Sequence, residues 1–232
     1  RDLHSFPTRR SSDLEPVPLD VTNLAQIKET TQKAITSGNI DVVFNNAGYG
    51  LIGPLESTTD EQLVRQLNTN ILGVIRVTQA FIPYFREKQS GLFISTTSIG
   101  GLVTFPFSSV YHATKWALEG WSESMSFELK KNGVGIKTVS PGGIKTDFIG
   151  RSLDNSSHPA YTKWVEKLYA GFSEDNFTPA EQIAEVVYEA ATDGKDKLRY
   201  VAGEDAKALY SQRLQVGDEE FRKQMEQTFL GN

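Results

Sequence analysis

Short apolar segments alternate with longer amphipathic segments along the chain, and this alternation constrains the fold more than any other feature. Residues 41–45 and 92–95 have the length and apolar character of buried strands. The segments between such strands repeat apolar residues every three to four positions, as helices with one buried face do. Strands that alternate with helices form parallel sheets, because each crossover returns the chain to the same end of the sheet. The pattern therefore predicts an α/β protein with helices on both faces of a parallel sheet.

The same pattern assigns individual elements. Strands are predicted at residues 17–19, 41–45, 92–95, 135–139 and 199–202, the first of them being the end of a longer strand. In the first half of the chain, helices are predicted from Leu24 to Gly38, from the cap candidates at 58–60 to before Gly91, and at 109–131. In the second half, they are predicted around Trp164 to Phe172, at 179–192 with Thr178 as the cap, and in the tail after Glu204. With 232 residues, 38% of them hydrophobic, the chain is long enough for one domain with a sizeable core.

Composition excludes several classes of function. The net charge of −5 and the pI of about 5.3 provide no basic surface for nucleic acid or an anionic membrane. No stretch approaches the roughly eighteen apolar residues of a membrane-spanning helix. The absence of Cys rules out disulfides and thiol nucleophiles, and the three His lack the spacing of metal ligands. We therefore expect a cytoplasmic enzyme core with no metal, no nucleic-acid partner and no membrane partner.

Tyr111, Lys115 and Ser98 form the most informative motif. Lys115 follows Tyr111 by four positions, and Ser98 precedes Tyr111 by thirteen. A second Tyr-x-x-x-Lys pair, Tyr84 and Lys88, has an Ile thirteen positions before its Tyr and therefore lacks the hydroxyl. The first triple is thus predicted to be a catalytic site, and the second pair is predicted to belong to an ordinary amphipathic helix.

The spacing of the triple suits proton transfer. Residues four apart share a helix face, with Cβ atoms roughly 5–6 Å apart, so Lys115 can lie beside Tyr111. Lowering the pKa of a phenol from about 10 to about 7 takes about 4 kcal/mol, close to what one ammonium supplies at about 4 Å and an effective dielectric of about 20. We therefore expect Lys115 to lower the pKa of Tyr111, and Ser98 to hydrogen-bond the reacting substrate oxygen. His112 points about 100° away on the helix and is not expected to be the base.

Further motifs follow in order along the chain. They are Leu19-Asp20-Val21-Thr22, Asn45-Asn46-Ala47-Gly48, Asn70-Ile71-Leu72-Gly73 and Pro141-Gly142-Gly143-Ile144-Lys145-Thr146. Together with the Ser-Tyr-Lys triple, they resemble the short-chain dehydrogenase/reductase family. The resemblance implies a Rossmann-like, doubly wound parallel sheet and hydride transfer between NAD or NADP and a small-molecule carbonyl or alcohol. It also implies a homo-oligomer paired through the helices at 63–85 and 109–131.

The resemblance implies roles for individual residues. Asp20 would lie near the adenine, and Asn45 would lie near the adenosine ribose. The other implied cofactor contacts are Ala47, Gly48, Tyr111, Lys115, Pro141, Gly142, Ile144 and Thr146. Among them, Lys115 would bind the nicotinamide ribose, and the turn that begins at Pro141 would seat the nicotinamide carboxamide.

Asn70 completes the implied catalytic set, because its backbone carbonyl would hold a water that connects Lys115 to solvent. Simple exposure to solvent is the alternative explanation for an Asn inside a predicted helix. Residues 148–177 occupy the place of the family's mobile substrate lid. The predicted contacts to an apolar or aromatic substrate are Tyr49, Phe105, Phe107 and Phe148.

One element of the family pattern is absent from the sequence. No Gly precedes Gly38, whereas the family has a glycine-rich turn that cradles the cofactor pyrophosphate after its first strand. We therefore expect the doubly wound sheet to lack its first two strands. Residues 1–14 are predicted to be a non-native or disordered leader, and residues 15–232 a single truncated domain. The residue that selects NAD or NADP would lie in the absent region, so the preference stays open.

Two alternative functions stay open beside the dehydrogenase. Without a cradle for the pyrophosphate, the chain as written would be an inactive fragment or a non-catalytic interaction module. Nucleotide-sugar epimerases also share the Tyr-x-x-x-Lys pair, and they keep their cofactor bound through turnover. The short stretch after Thr146 and the Asn-Asn-Ala-Gly motif favour the dehydrogenase.

Overall fold

The computed structural model describes residues 15–171 and 177–231. Its strands are β1 (Val42–Asn45), β2 (Gly50–Ile52), β3 (Gly91–Thr96), β4 (Val134–Pro141), β5 (Ile144–Lys145), β6 (Leu153–Asn155), β7 (Thr178–Pro179) and β8 (Arg199–Ala202). Its helices are α1 (Leu24–Ser37), α2 (Asp60–Leu67), α3 (Val74–Lys88), α4 (Ser109–Lys130), α5 (Phe148–Arg151), α6 (Thr162–Gly171), α7 (Ala180–Thr192), α8 (Glu204–Val216) and α9 (Asp218–Leu230). The predicted order of strands and helices is confirmed from α1 onward.

Four parallel strands form the central sheet, in the order β1-β3-β4-β8. Successive side chains of a strand point to opposite faces, so Phe93 and Ile94 of β3 enter different parts of the core. Phe93 packs with α1, α3 and α4, and Ile94 packs with α7 on the other face. The predicted α/β fold, a parallel sheet covered on both faces, is confirmed. No helix of the described residues is long and apolar enough to cross a bilayer.

The strand β1 forms one edge of this sheet, because within the described part of the chain it pairs with β3 alone. Val42 and Phe44 on this edge are 37% and 42% exposed. The strand predicted at residues 17–19 is wrong, since residues 15–20 have no regular secondary structure. A strand needs a hydrogen-bonded neighbour, and this segment bonds to a helix instead: the Asp20 N–H donates to Gln26 Oε1 at 2.8 Å.

Local sequence explains where the first helices begin and end. The side chain of Asn23 accepts hydrogen bonds from two backbone N–H groups of the first turn of α1, and Gly38 follows its last turn. Thr59 and Gln62 form a reciprocal capping box at the start of α2, as the cap candidates predicted. The predicted long helix after Thr59 is confirmed with one change: a π-helical turn at Asn68–Gly73 joins α2 to α3.

Two short parallel sheets hold the predicted lid segment. One pairs β2 with β6, and the other pairs β5 with β7. The prediction that Thr178 caps α7 is wrong, because Thr178 lies in β7 and its N–H donates to Gly143 O at 2.8 Å. Pro179 precedes the helix without a side-chain cap. The predicted lid helix is present as α6, and Phe172, assigned to it from the sequence, lies outside the described residues.

Candidate active site

The predicted site residues gather at the carboxyl ends of the central strands. Asn45 ends β1, Ser98 lies two residues beyond β3, and Pro141 ends β4. In doubly wound parallel sheets, this edge holds the crevice in which ligands bind. The first turn of α4 carries Tyr111 to the same edge, where its side chain meets Ser98.

The hydroxyl of Ser98 lies beside the phenol of Tyr111 at the centre of this site and favours the ionised form of the phenol. The Ser98 Oγ also accepts from the Gly100 N–H at 2.9 Å, which fixes the hydroxyl. A Cβ added to Gly100 would lie 3.2 Å from Tyr111 Cε1, so the close approach of this turn to the phenol favours glycine. The folded chain therefore brings Ser98 beside Tyr111, and the predicted hydrogen bond from Ser98 to a substrate oxygen stays a prediction.

Lys115 lies one helical turn after Tyr111 and is only 6% exposed. Its Nζ donates to Thr96 O at 3.0 Å and lies 5.8 Å from the centre of the Tyr111 ring. Burial lowers the pKa of Lys115 to about 8, and the negative charge of Glu119 opposes this shift. At neutral pH, Lys115 is therefore still mostly protonated, but its pKa is far lower than that of an exposed lysine.

The expected lowering of the Tyr111 pKa by Lys115 is not what the structure shows. Burial raises the pKa of Tyr111, and the neighbouring hydroxyl of Ser98 only partly opposes this rise. The reason is geometric, because the Nζ of Lys115 is directed at the carbonyl of Thr96 and not at the phenol oxygen. At neutral pH, the phenol therefore keeps its proton.

Asn70 lies in the π-helical turn and is only 1% exposed, which rules out solvent exposure as the explanation of its position. Its Oδ1 accepts from Tyr49 N at 3.1 Å, and its Nδ2 donates to Tyr49 O at 2.9 Å and Thr114 Oγ1 at 3.3 Å. Such turns are frequent at functional sites. A Cβ added to Gly48 would lie 3.3 Å from Asn70 Oδ1 and 3.8 Å from Lys115 Nζ. Asn70, Gly48 and Lys115 therefore meet at one point.

The predicted cofactor residues near β1 differ in their exposure to solvent. The exposed carboxylate of Asp20 accepts from the hydroxyl and the N–H of Thr22, and these bonds hold the pKa of Asp20 below its usual range. Asn45 is buried and donates to Thr78 Oγ1 at 3.1 Å. Ala47 is exposed just beyond the strand. The side chain of Asn45 is thus fixed within the protein, whereas Asp20 and Ala47 face solvent.

The predicted turn after β4 is held by hydrogen bonds to β8 and α8. The Gly142 N–H donates to Ala202 O at 3.0 Å, and the Gly143 N–H donates to Asp205 Oδ2 at 2.8 Å. Ile144 begins β5 and packs against the cluster around α7. The hydroxyl of Thr146 is exposed and accepts from the N–H of the first residue of α5 at 3.3 Å.

The predicted substrate aromatics have different surroundings. Tyr49 immediately precedes β2, and the ring of Phe148, 37% exposed, lies beside Gly50 at the start of that strand. Phe107 contacts Tyr161 of the lid segment, with ring centres 5.9 Å apart. Phe105 instead packs against a buried apolar cluster that includes α9. Phe148 therefore lies beside Gly50, the residue that follows Tyr49, whereas core packing accounts for Phe105.

His112 is a structural residue, as its direction on the helix predicted. It is 5% exposed, its Nδ1 bonds Gly100 O at 2.7 Å, and its Nε2 accepts from the Phe105 N–H at 2.8 Å. This network requires the neutral ring with its proton on Nδ1. Burial lowers the pKa of His112. The ring therefore holds the loop after Ser98 against α4.

We predict that this ring makes stability depend on pH. Because the folded-state pKa of His112 lies below the ordinary value of 6.5, its contribution is fully present above that value and is lost as the pH falls through the folded pKa. Urea unfolding at several pH values between about 5 and 7.5 measures the effect. The free energy of unfolding should fall less steeply with acid in His112→Gln, which cannot titrate. Equal slopes in the two proteins would contradict the prediction.

Sequence reasoning missed the polar residue that makes the most hydrogen bonds near the site, Glu119. It is 4% exposed and lies four positions after Lys115, on the same helix face. That spacing was the available signal. A carboxylate within the apolar pattern of α4 indicates a buried partner network, because carboxylates are almost never fully buried unless paired.

The chain matches the family model described as short chain dehydrogenase over residues 4–156. It is 41% identical over 214 residues to an uncharacterized oxidoreductase of Schizosaccharomyces pombe, across 89% of this chain and 91% of the relative. The crystal structure of a short-chain dehydrogenase from Streptomyces avermitilis has a TM-score of 0.78 at 30% identity, covering 89% of this chain and 77% of that one. An alcohol dehydrogenase from Thermococcus sibiricus, complexed with 5-hydroxy-NADP, has a TM-score of 0.63 at 26% identity, covering 80% and 72%.

The chain therefore belongs to the short-chain dehydrogenase family. It is an oxidoreductase with a Rossmann-like α/β fold that acts on small molecules, and its cofactor is NAD or NADP. The family resemblance of the sequence motifs is thereby confirmed.

Proposed function

We propose that the protein interconverts a carbonyl and an alcohol, with Tyr111 as the general acid and base. The observation that carries this proposal is the position of the Ser98 hydroxyl beside the Tyr111 phenol, with the buried Lys115 one helical turn away. A substrate oxygen that accepts from both hydroxyls would be held where Tyr111 can donate its proton to it. Because burial raises the pKa of Tyr111, the phenol carries this proton at neutral pH, which favours reduction of the carbonyl.

The residues around Gly48 fit a nicotinamide cofactor. Gly48 has no side chain, and this lets Asn70 and Lys115 lie against its backbone: an added Cβ would be 3.3 Å from Asn70 Oδ1 and 3.8 Å from Lys115 Nζ. The ammonium of Lys115 has three donors, of which Thr96 O occupies one, so two donors suit the hydroxyls of a ribose. The turn that begins at Pro141 would border the carboxamide. When bound, the nicotinamide would supply or receive the hydride.

Asn70 and Lys115 would restore the proton that Tyr111 donates. Lys115 has a pKa of about 8, so at neutral pH it can both hold and release a proton. Asn70 fixes the backbone of Tyr49 with its side chain. Its backbone carbonyl lies in a π-helical turn, where the usual helical pairing is altered, and this suits the proposed water that connects Lys115 to solvent.

The proposed substrate is an apolar or aromatic ketone or secondary alcohol. Tyr49 and the half-exposed Phe148 flank the start of β2, and Phe107 contacts the lid segment through Tyr161. Similarity to a protein described as an alcohol dehydrogenase supports the same chemical class. The cytoplasmic location and the homo-oligomer expected from the sequence stay predictions.

Cofactor binding separates an active enzyme from an inactive fragment. A glycine-rich turn supplies several charge-assisted hydrogen bonds to a cofactor pyrophosphate, at about 1.5–3 kcal/mol each, and residues 1–37 contain no Gly. By calorimetry, we expect a polypeptide of these 232 residues alone to show no binding at millimolar NADH or NADPH. Replacing residues 1–14 with a βαβ segment that contains a glycine-rich turn should give micromolar binding and reduction of apolar ketones.

Two outcomes would contradict these expectations in different ways. Micromolar affinity in the unchanged chain would show that residues 1–14 belong to a divergent cofactor site. A grafted protein that binds cofactor but converts no ketone or alcohol from a broad panel would contradict the proposed reaction itself.

A further inference from the structure

Glu119 is a buried carboxylate that receives four hydrogen bonds. Its Oε1 accepts from Thr97 Oγ1 at 2.6 Å and from Ser140 Oγ at 2.9 Å. Its Oε2 accepts from Thr138 Oγ1 at 3.2 Å and from Arg199 Nε at 2.7 Å. Thr97 follows β3, Thr138 and Ser140 lie in β4, and Arg199 begins β8. One side chain of α4 is therefore joined to the ends of three neighbouring strands.

This cluster adjoins the proposed catalytic hydroxyls. Lys115 and Glu119 lie one turn apart on α4, and their side chains bind two consecutive residues where β3 ends. Lys115 Nζ donates to Thr96 O, and Glu119 accepts from the hydroxyl of Thr97. Ser98 is the next residue. The distance between Ser98 and the phenol on α4 is therefore set by two side chains of the same helix.

We propose that Glu119 is a positioning residue, which fixes Ser98 against Tyr111 and keeps Lys115 charged. The kinetic part of this inference rests on the proposed function, whereas the electrostatic part concerns Lys115 alone. Burying a carboxylate is costly unless it is paired, and Arg199 pairs with Glu119. A negative charge one turn from a buried ammonium also favours the protonated form of that ammonium.

Arg199 makes the electrostatic role testable. Its guanidinium balances the carboxylate of Glu119 and also contacts the exposed Glu123 at 3.6 Å. Removing the negative charge of Glu119 disfavours the ammonium of Lys115, whereas removing the positive charge of Arg199 favours it. The charge of Glu119 opposes the effect of burial on the pKa of Lys115, in agreement with this reasoning. Loss of packing alone would give both variants the same kind of defect.

The decisive experiment is an NMR titration of Lys115 in protein with ¹³C-labelled lysine, assigned by comparison with Lys115→Arg. The midpoint, about 8 in the parent, should move to lower pH in Glu119→Gln and to higher pH in Arg199→Gln. The matched control is Glu123→Gln, which removes an exposed carboxylate from the same guanidinium and should leave the midpoint unchanged. Circular dichroism checks that each variant is folded. If Glu119→Gln fails to fold, the shift in Arg199→Gln still decides the matter.

Kinetics in a cofactor-binding protein give the second measurement. Glu119→Gln should lower kcat roughly 10- to 100-fold with little change in KM, because a small displacement of Ser98 misaligns the proton transfer. Midpoints that move in the same direction, or do not move, would overturn the proposal. Opposite midpoint shifts in a protein without any turnover would contradict the proposed function and support the electrostatic role of Glu119.

Discussion

In the cofactor-binding protein with the grafted βαβ segment, replacing Tyr111 with Phe is expected to lower kcat by roughly 10²–10⁴-fold, the usual cost of losing a general acid. The substitution removes the hydroxyl that lies beside Ser98 and keeps the ring, whose centre lies 6.1 Å from that of His112. Lys115 and Gly48 are unchanged, so cofactor affinity should be preserved. Steady-state kinetics on ketones, together with a cofactor titration, measure both quantities. A variant that kept more than about a tenth of the parental rate would show that Tyr111 is not the proton donor.

Tyr84→Phe is the matched control, because Tyr84 and Lys88 repeat the same spacing. The hydroxyl of Tyr84 accepts from the Ile40 N–H at 3.1 Å, and Lys88 Nζ binds Asp41 Oδ1 at 2.6 Å. This pair ties α3 to the residues before β1, at the opposite end of that strand from Asn45. Loss of the hydroxyl should cost about 1 kcal/mol of stability and leave kcat unchanged. A collapse of turnover would mean that the wrong pair was assigned to catalysis.

Local patterns predicted most of the elements, because helix periodicity and caps depend on nearby residues. The capping box of Thr59 and Gln62 is an example. The prediction of a strand at residues 17–19 was wrong, because a strand forms only beside a hydrogen-bonded neighbour, which its own sequence does not specify. The π-helical turn at Asn68–Gly73 was missed for a similar reason, since Asn70 is fixed there by the backbone of Tyr49, twenty-one positions away.

The sequence likewise predicted which residues form the site but not the contacts that their individual atoms make. The spacing of Tyr111 and Lys115 correctly placed both on one face of α4. It could not specify that Thr96 O would bind the ammonium, or that burial would raise the pKa of the phenol. Both effects depend on how α4 meets the end of β3 and the turn that follows it. Glu119 was missed likewise, because its partners lie on three strands that are distant in sequence.

A second large effect is expected in the core beneath the site. Phe85 is fully buried, and its ring meets that of Phe93 edge to face, with centres 4.9 Å apart. Phe93 lies in β3, the strand that leads to Ser98. Phe85→Ala should lower the free energy of unfolding by about 3–5 kcal/mol, because the truncation loses apolar burial and leaves a cavity. Urea unfolding measures this loss, and a change below about 1 kcal/mol would show that the neighbouring side chains fill the space.

The fit of Phe85 also explains why β3 begins with Gly91. A Cβ added there would lie 2.3 Å from Phe85 Cγ, so Gly91→Ala should cost about 1–3 kcal/mol through overpacking. Gly120→Ala is the control, since nothing lies within 4 Å of its added Cβ on α4, and it should stabilise the helix by about 0.5–1 kcal/mol. Combining Gly91→Ala with Phe85→Leu should recover part of the loss, because the smaller side chain makes room for the methyl group. Strictly additive effects of the two substitutions would show that they do not share this space.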